Sequence, residues 1–329
     1  MLRSILKSGA LGLTLAGAVA IAPGVATAQD ATDYPSRAVT MIIPFGPGGS
    51  TDPVARAFAE KLSAAWGEQV IAENRPGAGG SVGGTALVTS EPDGYTMLVV
   101  NPGPAILAPM LSASVEYEPS DLKPVVLIGE MPQIAIVRSD FPADDMAGLV
   151  AYAKENPGAV LWGSSGVNSS PHVTLELLKE SAGIDITHVP YSGSGAAITD
   201  LLGGSIQGMY STPVTAAGLI ESGDVKVLGV AGAKRHKALP DVPTLEEQGI
   251  MGANASVWLA IVVPQGTPDA IVQKINADMN DAIAAPDLQG TIFSKLNPLG
   301  GTVAEFEAYM ADEEARVQRL IDSGTLEVQ

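Results

Sequence analysis

Two short stretches of the sequence combine glycines, hydroxyl side chains and a proline in a pattern that can bind anions. They are residues 44–53 and residues 163–172. Each follows an apolar, strand-like run and precedes a helix-like segment, so each is expected to form a strand-to-helix turn. The free N–H groups at the start of a helix lie at its positive end, and they can hold an anion without any Lys or Arg.

The prolines in these stretches suggest where the two helices begin. Pro53 suits the first helical position, which predicts Asp52 or Thr51 as the helix cap. By the same argument Pro171 opens the second helix and Ser170 caps it. A cap needs only one such residue, and the second stretch offers several more polar side chains: Ser164, Ser165 and Asn168.

The rest of the chain alternates strand-like and helix-like segments almost to its end. Such alternation predicts an α/β architecture in which helices cover parallel sheets. The predicted strands are residues 39–43, 70–73, 96–100, 125–128, 134–138, 160–163, 186–189, 206–210, 225–230 and 257–263. The clearest predicted helices are residues 54–66, 172–182, 196–202 and 270–284.

Two segments look like crossings between domains, one near residues 121–130 and one near 225–234. The chain is therefore predicted to form a discontinuous first lobe and a single-segment second lobe. Their predicted bounds are residues 29–124 plus 232–329 for the first lobe and 125–231 for the second. The crevice between two such lobes is the expected binding site.

The first 28 residues have the features of a secretory signal peptide. Arg3 and Lys7 precede a short apolar stretch, and a small-residue pattern predicts cleavage after Ala28. A membrane anchor is the alternative, but the stretch is short and Pro23 breaks it. With no cysteine for disulfides or lipid attachment, the exported chain is expected in the periplasm.

Composition and motifs exclude several classes of function. A formal charge of −18 argues against nucleic acid and against anionic lipid as partners. The sequence lacks cysteine, a His-Glu-x-x-His motif, EF-hand spacing and a Gly-Lys pair, so we predict neither a metal nor a cofactor. A secreted serine hydrolase is the alternative from another class, but no Gly-x-Ser-x-Gly elbow occurs and no catalytic residue is predicted.

Other polar and aromatic segments have less specific patterns. The glycine-rich loop at residues 74–84 is predicted to pack closely against another backbone, with Arg75 in a structural role. The turn at residues 188–195 offers Tyr191, and residues 210–213 end a further strand that can add side chains to the crevice. Trp162 and Trp258 are candidates for an apolar wall or for the core.

Taken together, these motifs resemble those of the Bug-type periplasmic receptors of tripartite tricarboxylate transporters. The resemblance covers nearly the whole chain after the signal peptide, in order. The segments that carry it are residues 34–36, 44–53, 73–80, 92–96, 188–191, 200–204, 239–244 and 264–268.

The resemblance implies a two-lobe periplasmic-binding-protein fold (type II, Venus flytrap) that closes on a small carboxylate, without catalysis. Its partners would be that carboxylate and the membrane permease subunits, and a monomer is expected. A ligand-sensing receptor for a signalling partner is the alternative. The residues assigned to the ligand are Phe45, Gly48, Gly49, Ser50, Thr51 and Asp52 on one side, and Ser164, Ser165, Ser169, Ser170, His172, Tyr191 and Ser211 on the other.

The chain departs from the common pattern of such receptors in two places. Ser192 stands where many relatives have a basic residue, and Ser211 and Thr212 stand where many have an aspartate. Without that acidic group an ammonium-bearing ligand is disfavoured. The expected ligand is therefore a di- or tricarboxylate or an aromatic carboxylate.

Overall fold

A computed structural model describes residues 33–253, 255–291, 293 and 296–328. The predicted signal peptide and its cleavage site after Ala28 lie outside these residues. None of the helices in these ranges has both the length and the apolar character that crossing a bilayer requires.

Strands and helices alternate along most of the described chain. The strands are β1 (Val39–Ile43), β2 (Val70–Asn74), β3 (Thr96–Val100), β4 (Leu122–Arg138), β5 (Leu161–Ser164), β6 (Thr187–Pro190), β7 (Gly208–Ser211), β8 (Val225–Ala231), β9 (Ser256–Pro264) and β10 (Asn297–Pro298). The helices are α1 (Thr51–Trp66), α2 (Ser81–Val88), α3 (Ala108–Leu111), α4 (Met146–Glu155), α5 (Ser170–Ala182), α6 (Ser194–Gly203), α7 (Pro213–Ser222), α8 (Asp269–Ala284), α9 (Pro286–Gly290) and α10 (Val303–Asp322).

The strands form two sheets that share β4. In the first sheet the order is β2-β1-β3-β9-β4, with β1 parallel to β2 and β3, and β9 antiparallel to both of its neighbours. In the second sheet the later part of β4 lies between β7 and β8, and β5 and β6 extend the sheet beyond β7. The prediction of purely parallel sheets is therefore wrong for β4, β8 and β9.

Strand β4 is one continuous strand where the sequence predicted two. It pairs with β9 up to Pro132, opposite Ser256, and from Gln133 onward it pairs with β8. Gly129 and Pro132 usually interrupt strands. Here a register shift next to Gly129 absorbs the irregularity, so that the pairing with β9 continues through it. The chain thus passes from one sheet to the other between Pro132 and Gln133.

Successive side chains of a strand point to opposite faces of its sheet, so apolar strands build a core on both faces. In β1, Met41 and Ile43 pack in one apolar cluster with Phe58 of α1 and Ile275 of α8. Ile42 faces the opposite side and belongs to a different cluster. Helices therefore cover both faces, which leaves the ends of the strands for the loops that meet between the lobes.

Candidate functional site

A cavity lies between the two lobes, where the loops that follow several strands meet. The empty space between its lining atoms amounts to about 470 Å³, part of which is open solvent. The residues that line it are Phe45, Gly46, Gly49, Ser50, Thr51, Asp52, Asn101, Gln133, Ser165, Ser170, Pro171, Ser194, Tyr210, Ser211, Thr212 and Val257.

Strand ends determine which residues reach this cavity. Asn101 directly follows β3, Ser165 directly follows β5, and Ser211 is the last residue of β7. Phe45 lies in the turn after β1. Since these strands end at the same edge of their sheets, their loops converge there, as is usual for ligand sites in α/β folds.

Four helices begin at the cavity wall. Thr51 and Ser170 are the first residues of α1 and α5, Ser194 is the first residue of α6, and Thr212 caps α7. Of these helices only α7 has a side-chain cap, in which Thr212 accepts a hydrogen bond from the N–H of Thr215. The first turns of α1, α5 and α6 therefore direct uncapped N–H donors and positive dipole ends to this region.

The predicted helix caps lie too late in the sequence, by one or two residues for α1 and by one residue for α5. Ser50 rather than Thr51 or Asp52 precedes α1, so Pro53 is the third helical residue. Ser169 rather than Ser170 precedes α5, so Pro171 is the second. Proline needs no N–H partner anywhere in the first turn, and its presence therefore did not fix the first position.

Buried polar atoms without partners cluster at this cavity. Among the described residues, the atoms that lack a hydrogen bond include Gln133 Oε1, Ser170 Oγ, the Tyr210 hydroxyl and Ser211 Oγ. All four side chains line the cavity, and none of the four residues is more than 5% exposed. A buried polar atom without a partner is costly, so such a concentration indicates a site for a polar ligand.

Asp52 is the one charged residue among the described residues that line the cavity. Its carboxylate accepts hydrogen bonds from Arg56 at 2.9 Å and from Asn74 at 2.8 Å. Burial alone would raise the pKa of Asp52, but the hydrogen bonds from Arg56 and Asn74 outweigh it and hold the pKa below its ordinary value. Asn74 also donates to the Phe45 carbonyl, so this ionised carboxylate fixes the turn before α1.

Comparison with known proteins shows the family to which the chain is related. The model of the tripartite tricarboxylate transporter family receptor matches residues 54–326. The chain belongs to this family. Similar solved structures include the periplasmic binding protein BugD, which is 32% identical with a TM-score of 0.85 and covers 90% of this chain and 100% of its own.

Two further solved relatives of this receptor carry ligands. Rpa4515 of R. palustris, solved with adipate, is 29% identical with a TM-score of 0.85 and covers 90% of this chain and 99% of its own. MatC (Rpa3494) from Rhodopseudomonas palustris, with bound malate, is 30% identical with a TM-score of 0.83 and covers 88% and 100% respectively. The predictions of a Bug-type receptor and of a two-lobe binding-protein fold are confirmed.

Most of the residues that the sequence assigned to the ligand lie around the receptor's cavity. These are Phe45, Gly49, Ser50, Thr51, Asp52, Ser165, Ser170 and Ser211. The other five, Gly48, Ser164, Ser169, His172 and Tyr191, do not line it. The Tyr191 hydroxyl donates to Asp200 at 2.8 Å, and Ser169 Oγ donates to the Gly166 carbonyl at 2.6 Å. Burial and the bond to Asp200 raise the pKa of Tyr191 to about 12.

Ser164 forms a hydrogen bond with the imidazole of His188 and with the backbone of Gly166. Ser164 Oγ lies 2.6 Å from His188 Nε2, and the residue is fully buried. Its hydroxyl donates to the Gly166 carbonyl and accepts from the Gly166 N–H. In the tautomer that carries its proton on Nε2, His188 donates to Ser164 Oγ, which is the reverse of the role of a general base.

His172 and His188 stack on each other beside the serine-rich turn. Their ring centroids are 4.0 Å apart, and His172 Nδ1 accepts the N–H of Asn168 at 3.0 Å. Burial lowers the pKa of both imidazoles to about 4, with smaller contributions from Lys179 and, for His188, from His172 itself. The neutral pair thus holds the turn that carries Ser169 and Ser170.

The free energy of unfolding is expected to fall as the pH drops from about 6.5 towards 4. In this range the unfolded chain protonates His172 and His188 while the native protein keeps both neutral, so stability rises with pH. When two protons are involved, the free energy of unfolding can change by roughly 2.7 kcal/mol per pH unit. Urea denaturation between pH 4.5 and 7.5 measures it, and a folded H172Q/H188N variant that keeps the full slope would contradict this assignment.

The glycine-rich loop after β2 contacts the second lobe, as the close packing predicted for it requires. A Cβ on Gly79 would lie 2.1 Å from the Val167 carbonyl oxygen, and one on Gly166 would lie 2.8 Å from the Gly79 nitrogen. Arg75 has the structural role predicted for it and forms an ion pair with Glu73 at 2.9 Å. This loop is therefore part of the contact between the lobes.

The two candidate tryptophans belong to the core instead of the cavity wall. Trp162 packs edge-on against Tyr210, and Trp258 packs in the same way against Phe306 and Tyr309. Both are fully buried, and neither lines the cavity. Among the described residues, neither indole N–H has a hydrogen-bond partner.

Eight residues that line the cavity were not assigned to the ligand from the sequence: Gly46, Asn101, Gln133, Pro171, Ser194, Tyr210, Thr212 and Val257. Of these, Asn101, Gln133 and Val257 lie outside the polar turns that the sequence analysis singled out. Two of them had a usable signal. Asn101 is the first residue after β3, the same kind of position that drew attention to residues 44–53. Gln133 is a polar residue between apolar ones in a fully buried strand, and such a residue needs a specific partner.

Proposed function

We propose that this receptor captures a small organic carboxylate between its lobes and delivers it to the membrane subunits of a tripartite transporter. The observation that carries the proposal is the cluster of unpartnered atoms at the cavity. Three of its four members are hydroxyls, on Ser170, Tyr210 and Ser211. Hydroxyl groups can donate to a carboxylate, and burial raises the pKa of Tyr210, which keeps its hydroxyl protonated.

The charge of the site fits an anion although the surface of the receptor is acidic. No Lys or Arg is among the described residues that line the cavity, and the carboxylate of Asp52 is paired with Arg56. Attraction therefore comes from the uncapped first turns of α1, α5 and α6 and from the hydroxyl groups. In a closed cavity these contacts act in a lower dielectric than in water, which strengthens each of them.

Binding requires the lobes to open and close, and the chain offers two connections for this movement. One is the passage along β4 between Pro132 and Gln133, and the other is the segment from β8 to β9. In the proposal the receptor works as a periplasmic monomer after removal of residues 1–28. The relatives solved with adipate and malate support a dicarboxylate, and a tricarboxylate or an aromatic carboxylate stays within the proposal.

A thermal-shift screen of the processed receptor tests this function. A carboxylate present at about 100 times its dissociation constant is expected to raise the free energy of unfolding by about 2.7 kcal/mol, which shifts the melting temperature by several degrees. The matched control for each acid is its amide, which has nearly the same shape and no charge. Stabilisation by sugars or cations, with no response to any carboxylate, would overturn the proposal.

A further inference from the structure

The side chain of Gln133 is fixed at the place where the chain passes between the lobes. The residue is fully buried, and it is the first one in β4 that pairs with β8, opposite Ala231. Its backbone N–H donates to the Ala255 carbonyl at 3.3 Å. Strand β4 pairs with β9 before this point and with β8 after it, so the backbone of Gln133 is held in place. Its side chain therefore stays at the cavity.

The hydrogen bonds of Gln133 determine which end of its amide is free. Nε2 donates to Thr174 Oγ1 at 2.5 Å and to the Ser170 carbonyl at 3.3 Å. The Thr174 hydroxyl already donates to the same carbonyl at 2.8 Å, so it accepts from Gln133. The Ser170 carbonyl oxygen can only accept a hydrogen bond. If the amide of Gln133 were flipped, Oε1 would face this oxygen, and two acceptors would be in contact.

Oε1 of Gln133 is therefore a fixed acceptor with no partner in the described part of the chain. The other unpartnered atoms at the cavity belong to hydroxyls, which can donate to a carboxylate. An ionised carboxylate has no proton to offer to Oε1. A ligand made only of carboxylates and methylene groups would leave this acceptor buried and unpaired.

Resting on the proposed function, we infer that Gln133 selects a hydroxycarboxylate, whose hydroxyl group donates to Oε1 while a carboxylate accepts from Ser170, Tyr210 and Ser211. Gln133 Nε2 contacts the backbone of Ser170, so the free Oε1 and the free Ser170 Oγ belong to adjacent groups. The ligand's hydroxyl accordingly lies within a few bonds of its carboxylate.

A hydroxyl fits this position better than an ammonium group does. An ammonium has three donors and a full charge, whereas Gln133 offers one neutral acceptor. The carboxylate of Asp52 is already committed to Arg56 and Asn74. Family membership does not decide the question, because malate carries a hydroxyl group and adipate does not.

Calorimetric titration with matched acids tests the inference: malate against succinate, citrate against tricarballylate, and aspartate as the amino counterpart. The wild-type receptor is expected to bind the hydroxy member of a pair 10- to 100-fold more tightly than the deoxy member. Gln133→Met keeps the length of the side chain and removes the acceptor, and should reduce this ratio below about threefold by weakening the hydroxy acid. Ser211→Ala is the matched control, because it should weaken both members and keep the ratio.

Equal binding of both members by the wild-type receptor would overturn the inference, even if Gln133→Met did not fold. An unchanged ratio in a folded Gln133→Met variant would also overturn it, and so would tighter binding of aspartate than of malate. If no acid of any pair binds, the proposed function itself fails, which is a different result from equal binding within a pair.

Discussion

Replacing Ser170 and Ser211 together by alanine is expected to weaken carboxylate binding by roughly 10²- to 10⁴-fold. Hydrogen bonds to a charged group contribute about 1.5–3 kcal/mol each, so losing two costs about 3–6 kcal/mol of binding free energy. The free receptor should keep its melting temperature or gain slightly, because neither hydroxyl has a partner within the described chain. Calorimetric titration and thermal melting measure the two effects.

Ser181→Ala is the matched control for that double variant. Ser181 is exposed on the same helix as Ser170, near the opposite end, and its replacement should leave affinity unchanged. A folded S170A/S211A protein whose affinity for the carboxylate stays within threefold of the wild type would locate the ligand elsewhere.

Gly195→Ala is expected to lower ligand affinity at least tenfold by keeping the lobes apart. A Cβ at Gly195 would lie 2.3 Å from the Pro47 carbonyl oxygen and 3.2 Å from Gly48 Cα. These atoms are backbone and cannot rotate away, so the turn after β1 and the first turn of α6 must separate. Alanine is favoured over glycine in a helix, so α6 itself should not lose stability.

Gly218→Ala provides the control for the glycine substitution, because in the described part of the chain an added Cβ in the middle of α7 would have no neighbour within 4 Å beyond the adjacent residues and the backbone of α7 itself. Small-angle X-ray scattering of the ligand-saturated proteins measures closure directly. The Gly195→Ala receptor should remain more extended than the wild type and the Gly218→Ala receptor. Unchanged affinity and an unchanged scattering profile in Gly195→Ala would show that the lobes close without this contact.

Much of the fold was predictable because its signals are local. Apolar runs of strand length marked β1 and β3 at their observed bounds, and amphipathic spacing marked the ends of α1 and α8. The continuous β4 was not predictable in this way. A glycine and a proline weaken a strand only on average, and pairing with β9 depends on residues more than 100 positions away in the sequence.

The predicted site shows the same division between local and distant effects. Ser50, Thr51 and Ser170 lie at the cavity because the turn that carries each of them is a local structure. His172 and Tyr191 were selected from the same kind of turn, but their side chains bind Asn168 and Asp200 instead. Sequence indicates which residues share a turn, and rotamers and neighbouring elements determine which way each side chain points.

The sequence by itself determined the family of this protein, its α/β architecture and the presence of two strand-to-helix turns rich in glycines and hydroxyl side chains. These properties follow from residue types at short spacing, such as glycines and hydroxyls at the start of a helix. Only the tertiary structure brought Gln133, Ser170, Tyr210 and Ser211 around one cavity and left an atom of each without a partner. The physical reason is that partner satisfaction is a property of packing: whether a buried polar atom has a hydrogen bond depends on segments far apart in the chain.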